Sequence, residues 1–129
     1  MIKKAIELSP DDALILLGLG NFYYKTGKYE EAEKIYQKVI SSGIQYVDAF
    51  YNLGVLYIKQ KKYEKALKMI EKVLKIVPTH VDAIYSKGYI LTKMHKYKEA
   101  KNLFQKVLEY EPYNEKAKTA LKWIEWESE

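Results

Sequence analysis

Two histidines, His80 and His95, are the side chains of this 129-residue sequence whose ordinary pKa lies nearest neutrality. Acid–base or metal chemistry would need partners converging on one of them. The two stand far apart in the chain, both at turns by the pattern described below, and no cluster of metal-ligating residues accompanies either. Cysteine is absent, which excludes disulfides and zinc–thiolate sites. No G-x-x-x-x-G-K-[ST], H-E-x-x-H or G-x-S-x-G motif occurs. No catalytic, cofactor-binding or metal-binding residue is therefore expected, and no enzymatic activity. Glu125, Glu127 and Glu129 read as a solvated acidic end. The chemistry that remains is that of binding. The chain has 13 tyrosines, each with an apolar body and a polar tip. Every basic residue is lysine, and the net charge is +5 with a pI of about 9.1. Without arginine the planar fork that reads phosphates and bases is missing, which argues against a single-stranded nucleic-acid ligand. The lysines alternate with Glu, as on a solubilising surface.

The elements that must position those tyrosines are helical. Leu16, Leu19, Gly20 and Tyr23 fall at i, i+3, i+4 and i+7, and Ala32, Ile35, Tyr36 and Val39 repeat that spacing. Thr26-Gly27-Lys28 between them carries a glycine suited to a helix C-terminus, a place taken by Lys61 and His95 later in the chain. Pro78 and Pro112 end later helices, and Asp11, Asp48 and Asp82 suit helix starts. Glu30 with Lys34, Glu64 with Lys68 and Glu71 with Lys75 are spaced as i, i+4 ion pairs on a wet face. No apolar run reaches the length of a membrane span, and the N-terminus lacks the apolar run of a signal peptide. With cysteine absent, the expected location is cytoplasmic, with no membrane partner.

Residues 13–46, 47–80 and 81–114 superpose without a gap. Gly20, Gly54 and Gly88 recur every 34 residues (54 − 20 = 88 − 54), as do Tyr29, Tyr63 and Tyr97, and Ala32, Ala66 and Ala100. A bulky column holds Tyr36, Ile70 and Phe104. A glycine inside a helix costs about 1 kcal/mol against alanine, so close helix contact is the expected compensation. Leu19-Gly20-x-x-Tyr23 with Tyr29-x-x-Ala32-x-x-x-Tyr36, and their counterparts Leu53-Gly54-x-x-Tyr57 and Tyr63-x-x-Ala66-x-x-x-Ile70, resemble the tetratricopeptide repeat family. The third copy reads Gly88-x-x-Leu91 and Tyr97-x-x-Ala100-x-x-x-Phe104. Three departures stand out. Leu16, Phe50 and Ile84 replace the family's tryptophan. Ile44, after Gly43, replaces the proline that closes a repeat. Lys87 stands where the other copies have Leu19 and Leu53.

The resemblance implies an all-α, right-handed α-solenoid of antiparallel helix pairs. Residues 1–12 read as a leading half-repeat, through Ile2, Ala5 and Pro10, which favours an excerpt from a longer array. Residues 115–129 read as a C-terminal capping helix. The resemblance further implies a protein-interaction scaffold that binds a peptide or protein on its concave side. Carried over, that groove is lined by Leu17, Asn21 and Tyr24; by Tyr51, Asn52, Val55 and Ile58; by Tyr85, Ser86, Tyr89 and Thr92; and by Trp123 at the far wall. One subtype of the family clamps a chaperone's terminal carboxylate with two asparagines and three basic residues. Asn21 and Asn52 match the asparagines, but Leu17, Asp82 and Ser86 hold the basic places, so binding of that kind is not expected. A second reading is self-association through apolar residues of the N-terminal helix, Ile2, Ile6 and Leu14.

Overall fold

The computed structural model describes residues 8–127, and those residues form seven α-helices with no strand. They are α1 (Pro10–Lys25), α2 (Tyr29–Ser41), α3 (Val47–Lys59), α4 (Tyr63–Ile76), α5 (Val81–Lys93), α6 (Tyr97–Tyr110) and α7 (Glu115–Glu127). Ile2, Ala5, Ile6 and Glu129, on which some of the expectations above rest, lie outside the described residues.

The helix ends follow from local chemistry. Ser9 accepts a hydrogen bond from the Asp12 amide at 3.2 Å, and Pro10 opens α1, where a missing N–H costs nothing. The helix therefore begins three residues ahead of Ala13. His80 caps α5 in the same manner, its Nδ1 accepting from the Ala83 amide at 3.0 Å. Each of α1, α3 and α5 stops in one left-handed residue: Gly27 (φ 79°), Lys61 (φ 61°) and His95 (φ 63°). The next amide then reaches back to close the turn, from Lys28 to Tyr23 O, Lys62 to Tyr57 O and Lys96 to Leu91 O, each at 2.8 Å. In the first unit, which lacks a closing proline, Gly43 (φ 83°) turns the chain after α2.

Consecutive helices pack against one another along the whole chain. In addition α1 touches α3, α3 touches α5 and α5 touches α7, whereas α2, α4 and α6 do not touch each other. The odd-numbered helices thus form the inner layer of a curved stack, and the even-numbered ones splay along its outside. The core sits between layers. Ala32, Ala66 and Ala100 are fully buried, with Tyr36, Ile70 and Phe104 next to them and Val39, Val73 and Val107 one turn on. Gly20, Gly54 and Gly88 lie directly beneath Tyr36, Ile70 and Phe104, so the close approach expected of those glycines is made within each helix pair.

Lys87 does not disturb this packing. Its side chain remains partly exposed and its Nζ lies 3.9 Å from Glu71 Oε1 of α4. Glu71 thereby pairs between helices, not with Lys75. Neither Glu30–Lys34 nor Glu64–Lys68 comes within ion-pair distance; the other ion pair among the described residues joins Lys118 to Glu115. Exposed pairs of this length contribute little.

Candidate functional site

The inner face of the stack is built from the odd helices, whose successive turns bring residues four apart to one side. Its N-terminal half is a polar junction between α1 and α3. Asn52 Nδ2 donates to Asn21 Oδ1 at 3.0 Å, and the Tyr36 hydroxyl of α2 donates to the same oxygen at 2.5 Å. Burial, together with the neighbouring Tyr24 hydroxyl, pushes the Tyr36 phenol up to about 12. Tyr57 bridges outward from α3, donating to Glu33 Oε1 at 2.8 Å. Its pKa is raised by burial first and by that carboxylate next.

Farther along, Tyr51 lies over His80, with ring centroids 5.1 Å apart. Burial raises its pKa. A hydrogen bond with Ser86 opposes the rise, and the charge of Asp82 adds to it. Tyr24, Tyr51, Asp82 and Ser86 therefore share one neighbourhood spanning α1, α3 and α5. Leu17 is only 5% exposed and belongs to the core, and Ser86 is only 7% exposed. These two offer a ligand almost no surface. Val55 and Ile58 are half-buried, and Ile58 packs against the core.

The C-terminal half opens into a cleft of about 840 Å³ between α5, α6 and α7. Tyr85, Tyr89, Thr92 and Trp123 line it. Tyr85 rests on Phe104 at 5.4 Å, and burial raises its pKa, with Tyr89 adding to the rise. Tyr97 meets Trp123 edge to face at 5.8 Å and forms the far wall. Lys93, Lys116, Glu115 and Glu127 stand at the cleft, and neither lysine comes within ion-pair distance of a carboxylate among the described residues. Lys93 Nζ sits 5.5 Å over the Tyr89 ring. Concave, aromatic and bearing a few polar groups, the cleft has the composition of a ligand site.

Tyr97, His95, Lys93 and Lys116 are cleft residues outside the sequence-derived set, and of these Tyr97 and His95 lie beyond the inner helices. Tyr97 opens α6, and its hydroxyl is 2.8 Å from His95 Nδ1. The aligned tyrosine of the first unit, Tyr29, makes a ring contact with Tyr24 of α1, at 5.7 Å between centroids. The column Tyr29, Tyr63 and Tyr97 was the available signal, since the opening residue of an outer helix leans over the end of the inner one. Among the described residues no group of three His, Cys, Asp or Glu side chains could hold a metal ion, and no helix is long and apolar enough to cross a membrane.

Comparison with known proteins follows the same lines. The family model described as "Anaphase-promoting complex, cyclosome, subunit 3" matches residues 26–107, and "YpiA-like, tetratricopeptide repeats" matches residues 1–44. No curated protein sequence matches the chain. Among solved structures, the first TPR of Spaghetti (RPAP3) bound to the HSP90 peptide SRMEEVD is 29% identical, with a TM-score of 0.87 over 94% of this chain and 96% of that one. The second TPR domain of the human RPAP3 protein, in complex with the HSP70 peptide SGPTIEEVD, is 32% identical, with a TM-score of 0.81 over 88% of this chain and 94% of that one. YrrB, a TPR protein with an unusual peptide-binding site, is 25% identical, with a TM-score of 0.78 over 87% of this chain and 58% of that one.

Proposed function

The chain belongs to the tetratricopeptide repeat family, and we propose that it is a peptide-binding protein-interaction module whose ligand lies along the inner face and anchors in the cleft between α5 and α7. The observation that carries this is the cleft itself. Tyr85, Tyr89, Tyr97 and Trp123 give it apolar walls, and Lys93, Lys116, Glu115 and Glu127 supply charge at its edge. That arrangement suits a peptide with a large apolar side chain seated between the rings. Half-buried Tyr and exposed Trp are the residue types that dominate such interfaces. The polar edge at Asn21, Asn52 and Thr92 suits the backbone of an extended segment.

The similar structures hold chaperone tails, yet the clamp that one subtype uses for them has no basic group here. Leu17 and Ser86 are buried, and Asp82 would repel a carboxylate. The proposed ligand is therefore an apolar-anchored peptide and not a terminal EEVD held by its carboxylates. Selection from a displayed random-peptide library tests this, with affinities read by fluorescence anisotropy. Selected peptides should carry an aromatic or long aliphatic anchor and bind at least about tenfold more weakly to a Tyr89→Ala/Trp123→Ala variant that retains its helical circular dichroism. The peptide SRMEEVD should show no comparable binding. Tight, salt-sensitive binding of SRMEEVD, or indifference of every selected peptide to the double variant, would overturn the assignment.

A further inference from the structure

The outward end of α1 is apolar where the same positions of every later inner helix are buried. Ile15 aligns with Ala49, Ala83 and Ala117, which are 0–1% exposed, but Ile15 is 70% exposed. Phe22 aligns with Leu56, Ile90 and Ile124, all buried, and is 59% exposed. Leu14 and Leu19 are exposed beside them, and no described residue covers the face. In later units these columns are core and the inner helix packs on the outer helix of the preceding unit. The residue types at the open end do not suit a further contact of that kind. All three internal contacts have alanine at the first position, where α1 has the much larger Ile15.

Gly18 adds an independent sign. It lies in the interior of α1 on the stripe Ile15, Gly18, Leu19 and Phe22, spaced i, i+3, i+4 and i+7. A Cβ added there would meet nothing within 4 Å. Among the described residues nothing therefore compensates this glycine, in contrast to Gly20, Gly54 and Gly88. A glycine at the crossing point of two helices allows their backbones to approach closely. The stripe is also self-complementary. Gly18 stands midway between the acid Asp11 and the base Lys25, and midway between Leu14 and Phe22.

We propose that α1 pairs antiparallel with α1 of a second copy of this chain, about a two-fold axis at Gly18. Leu14 and Ile15 then meet Phe22 of the second copy, Asp11 meets its Lys25, and each contact occurs twice, as an isologous interface requires. A single-helix interface lies at the small end of the range, so the dissociation constant is expected between about 1 and 100 μM. The proposal stands independently of the peptide cleft, which lies at the opposite end of the stack.

Sedimentation equilibrium of the full chain should show a monomer–dimer equilibrium, weakened at least about 30-fold by Phe22→Glu with helical content unchanged. Gly18→Cys supplies the sole cysteine in a position with open space, so mild oxidation should cross-link it to its own counterpart. An Asn102→Cys variant on exposed α6 should remain uncross-linked. A chain that stays monomeric up to several hundred micromolar overturns the proposal. So does a dimer that ignores Phe22→Glu, or a dimer in which Gly18→Cys cross-links no faster than Asn102→Cys. A monomer that dimerises only after residues 1–7 are removed also overturns it, since the chain's own terminus would then be the occupant.

Discussion

Alanine placed at the glycines of the inner helices sets two opposed effects against each other, and their balance differs at each site. In a helix interior the substitution gains about 1 kcal/mol from backbone entropy and hydration. Overpacking a filled core costs about 1–3 kcal/mol. At Gly20 the new Cβ would lie 2.6 Å from Tyr36 Cε1 and 3.0 Å from Cδ1. That ring is fully buried and tethered by its hydroxyl to Asn21, so it cannot retreat. Gly20→Ala should therefore destabilise by about 2 kcal/mol net. At Gly88 the obstacle is the Phe104 ring at 2.8 Å, untethered but held under Tyr85, and the net loss should be about 1 kcal/mol. At Gly54 it is Ile70 Cδ1 at 2.8 Å, a terminal methyl that can rotate away, so the change should be near neutral. Gly18→Ala meets nothing and should stabilise the isolated chain by about 1 kcal/mol. Urea unfolding followed by far-ultraviolet circular dichroism, at concentrations too dilute for association, measures all four. The reasoning is refuted if Gly20→Ala is as stable as Gly18→Ala, or if Gly54→Ala is the worst of the set.

Three further outcomes can be checked in the same assay. Lys61→Gly should stabilise by about 1 kcal/mol, because a left-handed lysine (φ 61°) costs more than glycine's lost entropy. His95→Gly should gain less, since it also removes the contact with the Tyr97 hydroxyl. Tyr57→Phe should cost about 1 kcal/mol through the lost bond to Glu33, and Glu33→Gln, which keeps an acceptor, should cost less. The pH dependence has a definite sign. Tyr36, Tyr51, Tyr57 and Tyr85 all hold their protons more tightly folded than unfolded, so their contribution is complete below the ordinary phenol value of 10. It is lost as pH rises from there through the folded values, about 12 for Tyr36. Tyr36→Phe should flatten the decline in stability between those limits, and an unchanged slope would contradict the assignment.

The helices, their turns and the repeat were legible in the sequence because they are local or periodic. Apolar residues at i, i+3, i+4 and i+7 dictate a helix whatever surrounds it. The alignment put Lys61 and His95 in the place of Gly27, and the structure shows all three to be left-handed, since the same backbone turn recurs. The glycine column foretold close helix contact, and the structure locates that contact within each pair, under Tyr36, Ile70 and Phe104. The choice of Glu71's partner was not legible. Lys75 is near in sequence, but Lys87 is near across the α4–α5 contact.

The surface belonged to the tertiary structure alone. Leu17 and Tyr24 lie about two turns apart on the same face of one inner helix, yet Leu17 is sealed and Tyr24 partly open, because burial depends on what packs above each. Ser86 is buried beside Tyr51, a residue 35 positions earlier (86 − 51), and no property of either residue in isolation announces it. The cleft exists because α7 continues the stack and sets Trp123 opposite Tyr97. At the other end, Ile15 and Phe22 occupy columns that are core everywhere else, and they are surface here because no described helix precedes α1. Periodicity determines which residues share a face. Only the packed neighbours determine whether that face is core, cleft or exposed end.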